Sequence, residues 1–422
     1  MRLKNYIHQY KAVFKNITAL AAIQGTNFVL PLLTIPYVIM TVGEVKFGII
    51  TFAQSFFSYL LYLVDYGFNI TTTREISLRK EDKNHISHVV SDVLSVKILL
   101  LVIAFVLLLI LVYFVPMFQK DAKMYYLGFL LVLGQAFVPL WFYQGIEKMQ
   151  YLTYANVFGK AFFTVLIFIL IKSPADYVYV LPLYAMGNLI SGFLGVYWMF
   201  GKFEISWKTP TKATIIYQLQ SNWYPFVANF SINSYISANV IILRLVTNNE
   251  VLVGYYSIAD RIINALKQLL VVFFQATYPM ACRVAQKSHQ ELLDFFKKMA
   301  FPFCFTVLLG SIGLFFFSDK ITILLTKKYT QEVSYLIKML SVTLVIVSLN
   351  IPAYQTLLAY NYQKSYLKVF IIGSLLNVML NFVFTSIWSI YGTALAVILT
   401  EIFITAGLYI ALRISNYKHK II

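Results

Sequence analysis

Apolar residues run along this chain in long blocks, broken by short basic loops. Residues 98–115, 127–138, 161–171 and 301–317 are examples. Each block lies in a region that reaches the roughly 20 residues needed to cross a 30 Å hydrocarbon core as helix. The pattern predicts about 12 transmembrane helices, over residues 17–40, 47–70, 89–115, 123–144, 153–171, 178–200, 216–246, 251–280, 294–317, 335–358, 366–388 and 391–413. An all-α membrane protein follows, because a helix satisfies its own backbone groups where no water can. Tyr125, Tyr126, Trp141, Tyr177, Tyr179 and Trp198 cluster near block ends, as interfacial aromatics do.

Composition sharpens this picture. Of 422 residues, 60% are apolar and 12% charged, whereas soluble domains run near 45–50% and 25%. The net charge of +17 would suggest nucleic acid in a soluble protein. Here the cations sit in short loops, so no nucleic-acid partner is expected. With the N-terminus inside, inner loops hold about 22 Lys and Arg and outer loops about 7, which places both termini in the cytoplasm. The first span contains Pro31 and Pro36 and lacks a clear cleavage site, so it reads as a helix and not a signal peptide. Cys282 and Cys304 fall in or beside spans and imply no disulfide framework.

The spans divide into an N-terminal six-helix half, residues 1–205, and a C-terminal one, residues 206–422, joined by the basic connector 201–218. A weak internal repeat supports the division. Glu44, Gly48 and Ala53 match Glu250, Gly254 and Ala259 at one shared offset. Two parallel halves are a known transporter plan.

Polar residues within spans carry the functional signal, since hydrocarbon offers them no partners. Ser257, Arg261, Asn264, Gln268 and Gln275 fall on one face of the eighth span, with Asp260 and Lys267 beside it. The seventh span has Asn222, Asn229, Asn233, Ser237 and Arg244. The second has Thr51, Gln54, Ser58, Tyr62, Asp65 and Asn69, and the first has Gln24, Asn27 and Thr34. These stripes either line a polar cavity or hydrogen-bond between packed helices. Arg261 is the sharpest candidate, because a charge deep in a span is costly unless paired or wet. Arg244, Lys267 and Lys97 lie nearer span ends, where snorkelling accounts for them equally well. Glu401 lies mid-span in the twelfth helix. It reads as a hydrogen-bonded or protonated carboxyl, with ion coupling, through Glu401 or Asp65, as the alternative. The cationic bias favours an anionic substrate. No phosphate-binding loop occurs, and the histidines fall in inner segments, where the HxxH of His85 and His88 has no further ligands nearby and reads as a solvated face, so no cofactor or metal is expected.

Several motifs then point to a family. The stretch from Gln24-Gly-Thr-Asn27 through Pro31-Leu-Leu-Thr-Ile-Pro-Tyr37 resembles the first helix of bacterial O-antigen flippases of the Wzx type. So do Asp65-Tyr-Gly-Phe-Asn69 running into Thr73-Arg-Glu-Ile-Ser77, Pro139-Leu-Trp-Phe-Tyr-Gln-Gly-Ile-Glu-Lys148, and Val253-Gly-Tyr-Tyr-Ser257 leading to Tyr278-Pro279. The resemblance implies the fold of multidrug and toxin extruders and of the lipid II flippase, a bacterial cytoplasmic (inner) membrane location, and no enzymatic activity. It implies transport of an undecaprenyl-diphosphate-linked oligosaccharide, with polysaccharide polymerase or chain-length machinery as possible partners. Arg261, Arg244 and Lys267 would take the diphosphate, and Asn229, Asn233, Asn264, Gln268, Gln24, Asn27 and Asp65 the sugar, with Asn69 as a further substrate contact and Asp260 beside Arg261 as a partial counter-ion. The chain departs from the family pattern with Met40 where Arg is frequent, Arg261 where Lys is common, and Arg244 where a small or apolar residue is expected. A multidrug exporter of the same fold is the alternative that Asp65, Asp260 and Glu401 keep open. A membrane polymerase or glycosyltransferase fits poorly, because the largest outer segment, 318–334, is short and carries Asp319 and Glu332 as its only acids.

Overall fold

The computed structural model describes residues 2–327, 329–360 and 362–419, with side chains described except at 2–29, 31, 32, 228, 232–236, 275, 276, 279, 283, 363 and 415–419. Among the described residues the structure is helical and contains no strand. The helices group into two compact units, Met1–Gly43 with Ala53–Phe230, and Glu44–Phe52 with Ser231–Ile422.

The first unit begins with α1 (Arg2–Asp65), which kinks at Gly43 where φ is 80°. The kink divides α1 between the first two expected spans. Next comes α2 (Phe68–Leu78), entered through Tyr66 and Gly67, both with positive φ. Gly67 is required twice over: its backbone is left-handed, and a Cβ there would meet the Pro225 Cβ at 2.8 Å. The Tyr66 ring stacks on Phe226 with centroids 4.6 Å apart. The Asp-Tyr-Gly-Phe-Asn motif thus makes a tight turn clamped against a later helix.

The helix α3 (Lys83–Phe114) is continuous, but the span expected over 123–144 is not. After the short α4 (Pro116–Gln119), it is assembled from α5 (Ala122–Gly128), α6 (Leu130–Ala136) and α7 (Leu140–Gly145). Pro139 cannot donate its missing N–H, so the helix breaks between α6 and α7. Trp141, Phe142 and Tyr143 beyond the break are fully buried, and the Tyr143 hydroxyl donates to the Gly195 carbonyl at 2.7 Å. Two long helices follow, α8 (Met149–Leu170) and α9 (Tyr177–Gly201).

The basic connector is docked rather than slack. The backbone N–H groups of Ser206 and Lys208 donate to the hydroxyls of Ser87 and Ser91 on α3, at 3.1 and 2.9 Å. Thr211 caps α10 (Lys212–Ser221), and Thr214 donates to Asp92 at 2.9 Å. The span expected over 216–246 is therefore two helices, α10 and α11 (Trp223–Thr247), divided at Asn222 with Pro225 in the first turn of α11.

The second unit comprises residues 44–52 of α1, the rest of α11 from Ser231, α12 (Glu250–Ala285), α13 (His289–Thr326), α14 (Gln331–Ala359) and α15 (Gln363–His419). Ser389, with φ 54°, kinks α15 between the last two expected spans. Buried polar side chains join these helices, as expected where lipid removes the hydrophobic drive between them. Asn381 donates to Asn239 and accepts from Thr385, which in turn bonds Thr393. Gln355 donates to Thr277 at 2.8 Å and to the Phe274 carbonyl at 2.9 Å.

Eight segments of the described residues are long and apolar enough to cross a membrane. Two of these contain the kinks: Leu33–Leu78 holds both arms of α1 and then α2, and Lys364–Ile414 holds the two arms of α15. In α13 only 11% of the most apolar window is buried, and Phe316 and Leu324 stand 74% and 76% exposed. A surface of that kind requires lipid. The chain is a multi-pass membrane protein.

Candidate functional site

In the first unit, the end of α1 places Asp65 against Lys97 of α3. Lys97 is 2% exposed, and its Nζ donates to Asp65 Oδ1 at 2.9 Å. The same ammonium donates to the Ala136 carbonyl at 3.3 Å, an acceptor freed by the Pro139 break. Lys97 is therefore no snorkelling residue. It neutralises an acid and satisfies interrupted backbone in one position.

Lys160, on α8, has no such partner. It lies about 15 Å from either end of its helix at 1.5 Å per residue, too deep for a lysine stem to reach water readily. It is partly buried, and its ammonium makes no ion pair or hydrogen bond among the described residues. Sequence reasoning passed over it because it belongs to no polar stripe. The available signal was a single charge inside an otherwise apolar run.

In the second unit, residues 44–52 cross the start of α12 at backbone distance. A Cβ at Gly48 would meet the Glu250 carbonyl at 2.1 Å, and one at Gly254 would meet the Glu44 carbonyl at 2.2 Å. Thr51 donates to Ser257 at 2.9 Å, and the Arg261 guanidinium lies 5.5 Å from the Phe47 ring centroid. Further along α12, Asn264 donates to Asp260 Oδ2 at 2.8 Å. Lys267 pairs with Glu401 Oε1 at 2.8 Å, and Glu401 is 3% exposed. Arg244, near the end of α11, is 8% exposed and donates to Asn248 at 2.8 Å and Glu250 at 2.9 Å. Its guanidinium thus braces the α11–α12 turn.

Of the candidates read from sequence, the structure gathers Arg261, Asp260, Asn264, Lys267 and Gln268 along α12, with Gln268 exposed. Arg244 lies at the α11–α12 turn, while Asp65, Asn69 and Asn229 belong to the first unit and are partly buried. The side chains of Gln24, Asn27, Asn233 and Gln275 lie outside the described residues. The carboxylates Asp65, Glu401 and Asp260 each engage a donor, and among the described residues no cluster suits a metal ion. The intramembrane charge left without a described carboxylate is cationic.

Comparison with known proteins gives a consistent picture. A family described as "Polysaccharide biosynthesis protein" matches residues 13–285. A protein of Escherichia coli (strain K12) named "Putative O-antigen transporter" is 28% identical over 93% of this chain and 94% of its own length. One of the same name from Shigella dysenteriae is 26% identical over 92% and 97%. Among solved structures, an inward-facing multidrug resistance MATE family transporter of the MOP superfamily superposes with TM-score 0.76 at 16% identity, covering 96% of this chain and 99% of that one. The lipid II flippase MurJ, in an inward closed conformation, gives TM-score 0.74 at 15% identity, covering 94% and 87%. The fold is therefore the one these transporters share.

Proposed function

Because the chain belongs to the polysaccharide biosynthesis protein family, we propose that it is a flippase, not an enzyme, carrying undecaprenyl-diphosphate-linked oligosaccharide repeat units across the bacterial cytoplasmic membrane by alternating access. The observation that carries this reading is Lys160, a mid-span cation without a described carboxylate, where Lys97 and Lys267 each have one. An ionisable side chain at that depth costs about 2.5–3.5 kcal/mol unless paired or wet, and an anionic ligand supplies the missing partner. Within the second unit, Arg261 carries a guanidinium suited to phosphate oxygens. Asn229, Asn264 and Gln268 supply amides for sugar hydroxyls, and the polyprenyl tail remains in lipid. Arg244, held by Asn248 and Glu250, takes part through the shape of its turn or by exchanging partners with the diphosphate. With both termini cytoplasmic, the basic loops face the side on which the substrate is made.

The membrane potential assists such a step. Moving about two negative charges outward across 100 mV, inside negative, gains roughly 4–5 kcal/mol, less whatever cationic charge moves with them. A drug exporter of this fold is the weaker reading, since its cationic cargo needs acidic groups, and of the three candidates Asp65 and Glu401 are neutralised by lysines while Asp260 is held by the Asn264 amide.

The test is deletion and complementation in the native host. Loss of surface glycan on deletion, with intact repeat units accumulating on the inner leaflet and export restored by the wild-type chain, is the expected result. Normal glycan with altered sensitivity to cationic compounds would move the assignment to drug export.

A further inference from the structure

We propose that the cavity between α2 and α10, walled by Arg74 and Arg79 on one side and Tyr217, Gln218, Ser221 and Asn222 on the other, is a docking site at the membrane interface for the glycosyl diphosphate headgroup of the lipid-linked substrate. The proposal rests on the flippase reading and adds to it a binding site apart from Lys160 and the α12 side chains. The cavity encloses about 470 Å³ and lies wholly within the first unit. That volume falls in the range of small-ligand sites.

Its charge is available. Arg74 and Arg79 are exposed at the rim, and neither guanidinium forms an ion pair among the described residues. Glu75, the acid in the wall, faces His85 Nε2 at 3.6 Å and also lies within the field of Arg79. A neighbouring cavity of about 340 Å³ makes the contrast clear. There two of the three lysines are paired internally, Lys80 with Glu147 at 3.5 Å and Lys83 with Glu204 at 2.5 Å. Two guanidinium forks without an ion-pair partner among the described residues match phosphate oxygens bidentately.

The opposite wall is rigid and polar. Gln218 and Asn222 are 4% and 1% exposed. Thr71 of α2 donates to the Asn222 carboxamide oxygen, which ties the two walls together. The three bonds from α3 hold the connector and α10 in place. The Asn222 amide, which donates to Gln218 and Ser221, holds this wall in place, and the exposed Tyr217 and Ser221 hydroxyls offer hydrogen bonds to a hydroxylated ligand with little ordering left to do.

The surroundings point to a ligand anchored in lipid rather than a soluble one. Leu78 lines the cavity at 74% exposure and Tyr217 at 63%, and Trp223 and Tyr224 follow at 52% and 83%. Exposed aromatics beside basic residues mark the headgroup level of a bilayer. A diphosphate carried by a membrane-bound chain would reach the two arginines there.

The experiment uses the full-length protein in phosphatidylcholine nanodiscs, with citronellyl-diphospho-N-acetylglucosamine as the probe. Binding is expected, and Arg74→Ala and Arg79→Ala should each weaken it about tenfold, the loss of one charge-assisted contact, with Arg74→Lys recovering part. Both positions are exposed, so folding should be unaffected. Wild-type affinity in both alanine variants overturns the proposal. Inorganic pyrophosphate or uridine-diphospho-N-acetylglucosamine binding as tightly as the probe overturns it in favour of a soluble anion. Complete displacement of the probe by phosphatidylglycerol overturns it in favour of a general acidic-lipid site. In cells, wild-type complementation tests the flippase reading separately. If the wild type restores surface glycan and Arg74→Ala/Arg79→Ala restores it equally, the docking site alone is wrong. If the wild type restores none, both readings fall.

Discussion

Thr51 and Ser257 share a hydrogen bond of 2.9 Å, and the two residues are counterparts in the internal repeat. The offset that relates Glu44, Gly48 and Ala53 to Glu250, Gly254 and Ala259 also relates Thr51 to Ser257. Gly48 lies on the Glu250 carbonyl and Gly254 on the Glu44 carbonyl, so each partner makes the contact that the other makes in return. Such reciprocity is the mark of local twofold symmetry. The repeat therefore has a physical purpose: two glycines and two hydroxyls let the helices touch backbone to backbone.

If alternating access works through this contact, fixing it should stop transport. In a background with Cys282→Ser and Cys304→Ser, the pair Thr51→Cys and Ser257→Cys should cross-link on mild oxidation. Export should then halt and return on reduction. A fully cross-linked protein that exports at the uncross-linked rate would show that the contact does not move.

The glycines themselves give a second expectation. Adding one methyl group at Gly48 or Gly254 forces two backbones apart and should destabilise the protein by about 1–3 kcal/mol, the range for overpacking. Gly201→Ala is the control, since a Cβ there meets nothing within 4 Å. Thermal unfolding in detergent compares the three. A Gly48→Ala protein as stable as Gly201→Ala would mean the helices separate freely.

Much of the fold was legible because apolarity over twenty residues is a strong and local signal. Kinks were half legible: Gly43 and Ser389 fall in the gaps between expected spans. The break at α6–α7 was not, although Pro139 was in view, because the donor that satisfies its freed carbonyl is Lys97 on another helix. The ion pairs were hidden for the same reason. Lys97 finds its acid 32 positions away and Lys267 finds Glu401 134 positions away. A single sequence carries no signal for such pairing, so both lysines read equally well as snorkelling residues. The polar stripe on α12 did mark a real gathering of charge, but several of its members proved to bond one another or to α1.

The Asp65–Lys97 pair supports a prediction about stability. Removing one partner of a buried pair costs about 3–5 kcal/mol. Asp65 is 28% exposed in its side chain, so water offsets part of the loss, and Lys97→Met should cost roughly 1–3 kcal/mol. Asp65→Asn with Lys97→Met should recover some of it, though the Ala136 carbonyl stays without its donor. Melting temperatures of the single and double variants decide the matter. Additive losses would show that the two side chains do not support each other.

Lys267 and Glu401 can be separated into structural and substrate roles by exchange of charge. Lys267→Glu alone leaves two acids facing each other in the second unit and should abolish folding or export. The exchange Lys267→Glu with Glu401→Lys restores the pair but moves the cation from α12 to α15. Recovered stability with export still lost would assign Lys267 a role beyond its partner. Recovery of both would make the pair structural.

Lys160 offers the clearest test of how the substrate is held, because it has no described partner to lose. Replacing a structural lysine usually exposes an orphaned acid, whereas Lys160→Met removes a charge from hydrocarbon and leaves none behind. Its stability should therefore hold or rise slightly. If the ammonium meets the diphosphate, export should fall steeply, by about tenfold or more for one charge-assisted contact, and Lys160→Arg should retain much of it. Stability and export thus move in opposite directions, a pattern that a packing role does not produce. Unfolding in detergent and the level of lipid-linked repeat units on the outer leaflet measure the two. A Lys160→Met protein that exports normally would leave Arg261 and the α12 cations to carry the phosphate.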